Sequence, residues 1–147
     1  ILFKHSQLAV TLYYIYQGFV KGSADLSALK DHYQAVYADN SPGLNKMQAA
    51  LSELNKMAIE DGFQIVFTMM PDVHNLKEYP FGFAHAKIKE LVQEFNWVYV
   101  DFLDDLKKFN GPELWTIPGD PHPNGIVHKI MAERLAPIIR NLANNQN

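Results

Sequence analysis

Asp120 and His122 have the residue types and the spacing of a general-base pair. A carboxylate beside an imidazole accepts the proton on one ring nitrogen, fixes the tautomer and stabilises the imidazolium that forms during proton abstraction. Pro121 and Pro123 flank His122, so the backbone of Asp120-Pro121-His122-Pro123-Asn124 has little freedom to lose when the pair is oriented. This segment is expected to be a loop that a C-terminal helix anchors. The same residues also read as a plain turn before that helix, with Asn124 as its N-cap. Trp115, just upstream, is the candidate for substrate contact.

Other residues invite chemistry less strongly. His74, His85, His122 and His128 together suggest a metal. However, no two histidines share a helix face at the i, i+4 spacing, no glutamate-containing zinc motif is present, and the chain has no cysteine. Neither a metal nor a cofactor is expected. His128 falls in the first turns of the last helix and is expected to pack or hydrogen-bond there. Tyr79, Phe81 and Phe83 suit either the wall of a pocket or cover for a core. A net charge of -3 argues against a nucleic-acid partner, which would favour a basic face. Leu8 to Phe19 is apolar but broken by Gln17 and Gly18, too short for the roughly 20 residues of a membrane span. The lack of cysteine leaves the compartment open.

The elements that must position these residues follow from periodicity. Residues 1–20 are apolar nearly all round (Leu2, Phe3, Leu8, Leu12, Tyr13, Ile15 and Tyr16), which predicts a helix that is mostly covered in its proper context. Gly22-Ser23 breaks it, and Asp25 to Asn40 reads as a weak helix and a loop. Ser41-Pro42-Gly43 starts a helix, and Leu44, Met47, Leu51, Leu54 and Ala58 carry its stripe to Asp61-Gly62. Ile65–Met70 is an apolar run of strand length, stopped by Pro71. A helix over Phe83–Phe95, with Ala84, Ile88, Leu91 and Val92 on one face, connects it to a second strand, Trp97–Phe102. The two runs are expected to be parallel neighbours, as helix-linked strands usually are. A helical turn at Asp104–Phe109 and a loop over 110–121 precede the last helix, Asn124–Ala143. That helix is expected to turn Ile126, Ile130, Met131, Leu135 and Ile138 inward and to be kinked or interrupted at Pro137. The result is one α/β domain with a thin sheet, so the chain is expected either to borrow strands from elsewhere or to be the second half of a larger domain.

With these residues in place, Asp120-Pro121-His122-Pro123-Asn124 resembles the last motif block of the SGNH (GDSL-type) esterase and acyltransferase superfamily. Ile65–Met70 with Pro71-Asp72-Val73-His74 and Tyr79-Pro80-Phe81 is similar to that family's fourth strand and following loop, and Trp97–Phe102 to its fifth. Val127 stands where the family usually has Gly, whereas His128 keeps its place. The resemblance covers about residues 60–140. It implies a flavodoxin-like three-layer α/β/α fold with a parallel sheet, of which this chain is the C-terminal part. It further implies a serine esterase acting on a small-molecule or carbohydrate ester, with Asp120 and His122 as two members of its triad. The family's Gly-Asp-Ser and Gly-x-Asn blocks do not occur here. Gly22-Ser23-Ala24-Asp25 and Asp39-Asn40 read as surface loop. The chain starts at Ile1, and the nucleophile and oxyanion donors are expected from an N-terminal half of the same domain. Hydrolysis and acyl transfer both run through one acyl-enzyme, so the resemblance leaves both open. The alternative is a non-catalytic α/β module that keeps the fold for binding or assembly.

Overall fold

The computed structural model describes residues 7–20 and 26–144. In chain order these form α1 (Gln7–Val20), α2 (Ser27–Val36), α3 (Pro42–Asp61), β1 (Val66–Met69), α4 (Gly82–Gln93), β2 (Val98–Asp101) and α5 (Leu103–Leu106). A 3-10 turn (Gly111–Leu114) then leads into β3 (Trp115–Ile117), β4 (Asp120–Pro123) and α6 (Gly125–Asn144). The expected break at Gly22-Ser23, the first six residues of the N-terminal helix and the expected start at Asp25 lie outside the described residues. Within α1, Leu8, Leu12, Tyr13 and Ile15 are exposed in this chain.

α3 begins where Ser41 and Pro42 say it should. Ser41 Oγ accepts the Leu44 N–H at 3.1 Å, which satisfies one of the donors that a helix start leaves open. Gly62 caps the other end. Its stripe is only partly covered: Leu44 and Ala58 are buried, but Leu54 is exposed.

β1 and β2 pair in parallel, with Val66 opposite Val98 and Met69 opposite Asp101, and α4 lies between them in sequence. The parallel α/β unit expected from the two apolar runs is therefore present as a two-stranded sheet. Because side chains alternate, Val98 and Val100 face one way and Tyr99 and Asp101 the other. The first face belongs to the core, where Val73, Leu76, Val100, Phe102, Leu106, Leu114 and Val127 are buried together. Ile130, Met131, Leu135 and Ile138 of α6 pack against it. Phe102, Leu106, Leu114 and Val127 are wholly buried, each worth about 1.5–3 kcal/mol of transfer free energy.

Three expectations need correction here. Residues 110–121 are not one loop: β3 and β4 form an antiparallel hairpin around Pro118-Gly119. Gly119 takes φ +83°, the conformation a Pro-Gly turn requires of its glycine. Asp120 and His122 therefore sit on a strand, and the two prolines are tolerated because β4 has one neighbour and needs few ladder donors. On α6, Val127 rather than Ile126 faces the core; Ile126 is exposed, a shift of one residue or about 100° around the helix. Of the kink or interruption expected at Pro137, the interruption does not occur, since α6 runs through that residue.

Candidate functional site

Asp120 and His122 meet. The carboxylate Oδ1 of Asp120 accepts both the His122 backbone N–H, at 3.1 Å, and the ring Nδ1–H. The double contact follows from the two-residue spacing, since an Asp side chain readily bonds the backbone two residues on. An ionised carboxylate only accepts, so Nδ1 carries the proton and Nε2 of the neutral ring keeps its lone pair. His122 holds the Asp120 carboxyl below the usual carboxylate range, chiefly through the ring hydrogen bond and then through the backbone one. The pair is open to solvent: the His122 side chain is 83% exposed and that of Asp120 39%.

The hairpin carrying this pair is tied down at several points. Thr116 Oγ1 donates to the His122 carbonyl at 2.9 Å, and the Asn124 N–H donates to the Leu114 carbonyl at 2.9 Å. Asn124 Nδ2 reaches the carbonyls of Glu113 and Trp115, while its Oδ1 accepts the Ile126 N–H at the start of α6. The helix-capping role open to Asn124 from sequence is thus real, and it coexists with the Asp120–His122 contact. Trp115 is half-buried. Its Nε1–H donates to the Val73 carbonyl at 3.0 Å and so joins the hairpin to the loop that leaves β1. Gly111 makes that junction possible. A Cβ there would lie 2.3 Å from the Val73 carbonyl oxygen and 2.7 Å from that of His74.

The loop after β1 repeats the same local chemistry. Asp72 Oδ1 accepts the His74 backbone N–H at 2.9 Å and the ring Nδ1–H at 2.8 Å. This pair is more enclosed, with side-chain exposures of 29% for His74 and 26% for Asp72. The Trp115 ring stands edge-on to His74, centroids 5.9 Å apart.

Behind it runs a partly buried chain of hydrogen bonds. The Asp72 N–H donates to Tyr79 Oη at 3.2 Å, and the Tyr79 hydroxyl meets His85 Nε2 at 2.7 Å. His85 Nδ1–H donates to Asp101 Oδ2 at 2.8 Å, and Asp101 Oδ1 accepts the Leu103 N–H. Tyr99 Oη lies 3.3 Å from both the His85 carbonyl and Asp101 Oδ2. Burial pushes the Tyr79 and Tyr99 hydroxyls well above the ordinary phenol range, so both act as neutral hydrogen-bonding groups. His85 is the buried polar residue of the core.

Sequence reasoning set His85 aside as a failed metal ligand and gave Asp72 no role. The signal that could have found the network is a histidine among Ala84, Ile88 and Leu91 on an apolar helix face, with an aspartate closing an apolar strand. His128 is exposed on α6, so of the packing or hydrogen bonding expected of it, packing is not what the fold provides. Phe81 is buried and stacks edge-on with Tyr33 and Tyr79, so it covers the core instead of walling a pocket.

No group of three or more acidic or histidine side chains among the described residues could hold a metal ion. No helix among them is long and apolar enough to cross a membrane. Two open grooves mark the surface. One, of about 480 Å³, runs past Lys89, Trp97, Tyr99 and Arg134; the other, of about 350 Å³, past Ile59, Phe63 and Phe95. Neither includes Asp120, His122 or Trp115. No family model, curated protein or solved structure matches the chain.

Proposed function

We propose that this chain supplies the Asp–His pair of an SGNH (GDSL-type) serine esterase, as the C-terminal part of a flavodoxin-like three-layer domain. The observation that carries the reading is the double contact of Asp120 with His122, which leaves Nε2 as the ring's basic atom. His122 Nε2 takes the proton from a serine Oγ as that oxygen attacks the ester carbonyl. The imidazolium, held by Asp120, then returns the proton to the departing alkoxide, which leaves as the alcohol. In the second half a water attacks the acyl carbonyl and gives its proton to the same nitrogen; the bond to the serine Oγ then breaks, the acid leaves and the serine takes that proton back. The serine and the oxyanion donors belong to an N-terminal half of the domain, outside these 147 residues. The substrate is a small-molecule or carbohydrate ester.

The 83% exposure of His122 fits this division of labour, because an N-terminal half would supply the opposite wall. The same openness favours the rival reading, a non-catalytic α/β module used for binding or assembly. One experiment separates them. The chain joined to its upstream coding sequence is assayed on a chromogenic acetyl ester, beside its His122→Ala variant. Hydrolysis that His122→Ala abolishes supports the esterase; a joined protein with no hydrolysis, or with hydrolysis indifferent to His122, supports the module.

A further inference from the structure

We propose that Asp72, His74 and Trp115 form a hydroxyl-binding subsite for the alcohol portion of the substrate, and that this portion is a carbohydrate. The inference rests on the esterase reading only for what the bound sugar is used for. The binding itself needs no turnover.

Three observations carry it. First, Asp72 fixes the His74 ring by the same double contact that Asp120 makes to His122, so Nδ1–H is committed and Nε2 is the ring's remaining polar atom. No protein group among the described residues bonds that nitrogen. A neutral imidazole held this way is an acceptor, and a sugar hydroxyl is a donor of the right kind. Second, the pair is half-buried beside the edge-on Trp115 ring. A sugar offers C–H surface next to its hydroxyls, so an aromatic ring beside an oriented acceptor meets both halves of its chemistry. Third, the mount is stiff. The Asp72 amide is held by Tyr79, Tyr79 by His85 and His85 by Asp101 at the end of β2, while Trp115 grips the Val73 carbonyl between the two members of the pair. A side chain with a preset direction loses little entropy when it accepts a ligand hydroxyl. Nothing in the proton transfers assigned to His122 needs this second, better-held pair.

The test is an NMR titration of the full chain with cellobiose, following the His74 ring nitrogens and the Trp115 indole N–H. Glycerol serves as a hydroxylated control without a sugar ring. Saturable shifts at both residues with cellobiose and none with glycerol are expected, with millimolar affinity. His74→Phe keeps a ring against Trp115 but removes the acceptor, and should weaken cellobiose at least about tenfold. His74→Gln, which restores an acceptor, should recover part of that loss. Circular dichroism of each variant confirms its fold. The proposal is overturned if cellobiose leaves both residues unmoved, if glycerol competes equally, or if His74→Phe binds with unchanged affinity. Because no ester is cleaved, a failure here leaves the esterase reading standing, and a dead joined enzyme leaves this subsite standing.

Discussion

The two Asp-x-His turns, at Asp72–His74 and Asp120–His122, are nearly the same object at short range. In each, one carboxylate oxygen takes the backbone N–H and the ring N–H of the histidine two residues on. They differ in what lies behind them. Asp72 stands at the end of a partly buried chain through Tyr79, His85 and Asp101, with the Trp115 ring beside His74. Asp120 stands on a two-stranded hairpin whose imidazole faces water. Local sequence is thus enough to bring a carboxylate to an imidazole, whereas the stiffness and polarity around the pair come from residues far away. A chemical role has to be argued from that second layer as well.

The contrast can be broken most sharply by turnover. On the esterase reading, His122→Ala in the chain joined to its upstream coding sequence should lower kcat on a chromogenic ester by about a thousandfold or more, because members of a triad act as a unit. His74→Phe should instead raise KM for a sugar ester and leave kcat within about threefold. If the two variants exchange these effects, the roles assigned to the two turns are reversed.

Packing gives the next largest effects. Gly111→Ala should destabilise the chain by about 1–3 kcal/mol, since the new Cβ meets backbone carbonyls at Val73 and His74 that cannot swing away. Urea unfolding measures the loss. His74 ring signals should move in this variant more than those of His122, and equal movement would mean the turns share one support. His85→Phe leaves Tyr79 and Asp101 without their partner and should cost about 1–3 kcal/mol. Hydrogen exchange at the Asp72 amide should accelerate in this variant while exchange at the His122 amide stays as it was; a common acceleration would sink the claim of separate mounts.

The smallest effect concerns pH. The folded Asp120 carboxyl is depressed relative to the unfolded chain, so its contribution to stability is present above the unfolded carboxylate value and is lost as pH falls through the lower, folded one. Because the group is exposed, that contribution should be barely visible in unfolding curves. A carboxyl NMR titration should still place the Asp120 midpoint below that of a free aspartate, and His122→Ala should return it to the ordinary range. An Asp120 that titrates normally with His122 present would show that the pair is not held in solution.

Much of this architecture was legible in the residues. Two apolar runs of strand length separated by an amphipathic helix can hardly be anything but a parallel pair, and Ser41-Pro42 marks a helix start by hydrogen-bond chemistry alone. The Asp120–His122 contact was legible for the same reason, since it is decided within three residues. The hairpin was missed because its second strand holds two prolines, which mask strand propensity; Pro118-Gly119 between Ile117 and Asp120 was the available turn signal. Ile126 and Val127 were exchanged because two adjacent apolar residues at a helix start leave its rotation undecided. His85–Asp101 spans 16 residues and depends on how α4 lies on the sheet, which no local pattern states.

One further consequence comes from the two indoles. Trp97 Nε1–H reaches Asn55 Oδ1, and Trp115 Nε1–H reaches the Val73 carbonyl, each across 42 residues of sequence. The β3–β4 ribbon, by contrast, closes through two residues. Ribbons of that kind zip in microseconds, while contacts across tens of residues must first overcome the entropy of closing a long loop. The contact of Asp120 with His122 is thus set by three neighbouring residues, whereas the seating of the ribbon that carries it depends on a contact 42 residues away. The imidazole and carboxylate can therefore meet whether or not Trp115 has reached the Val73 carbonyl.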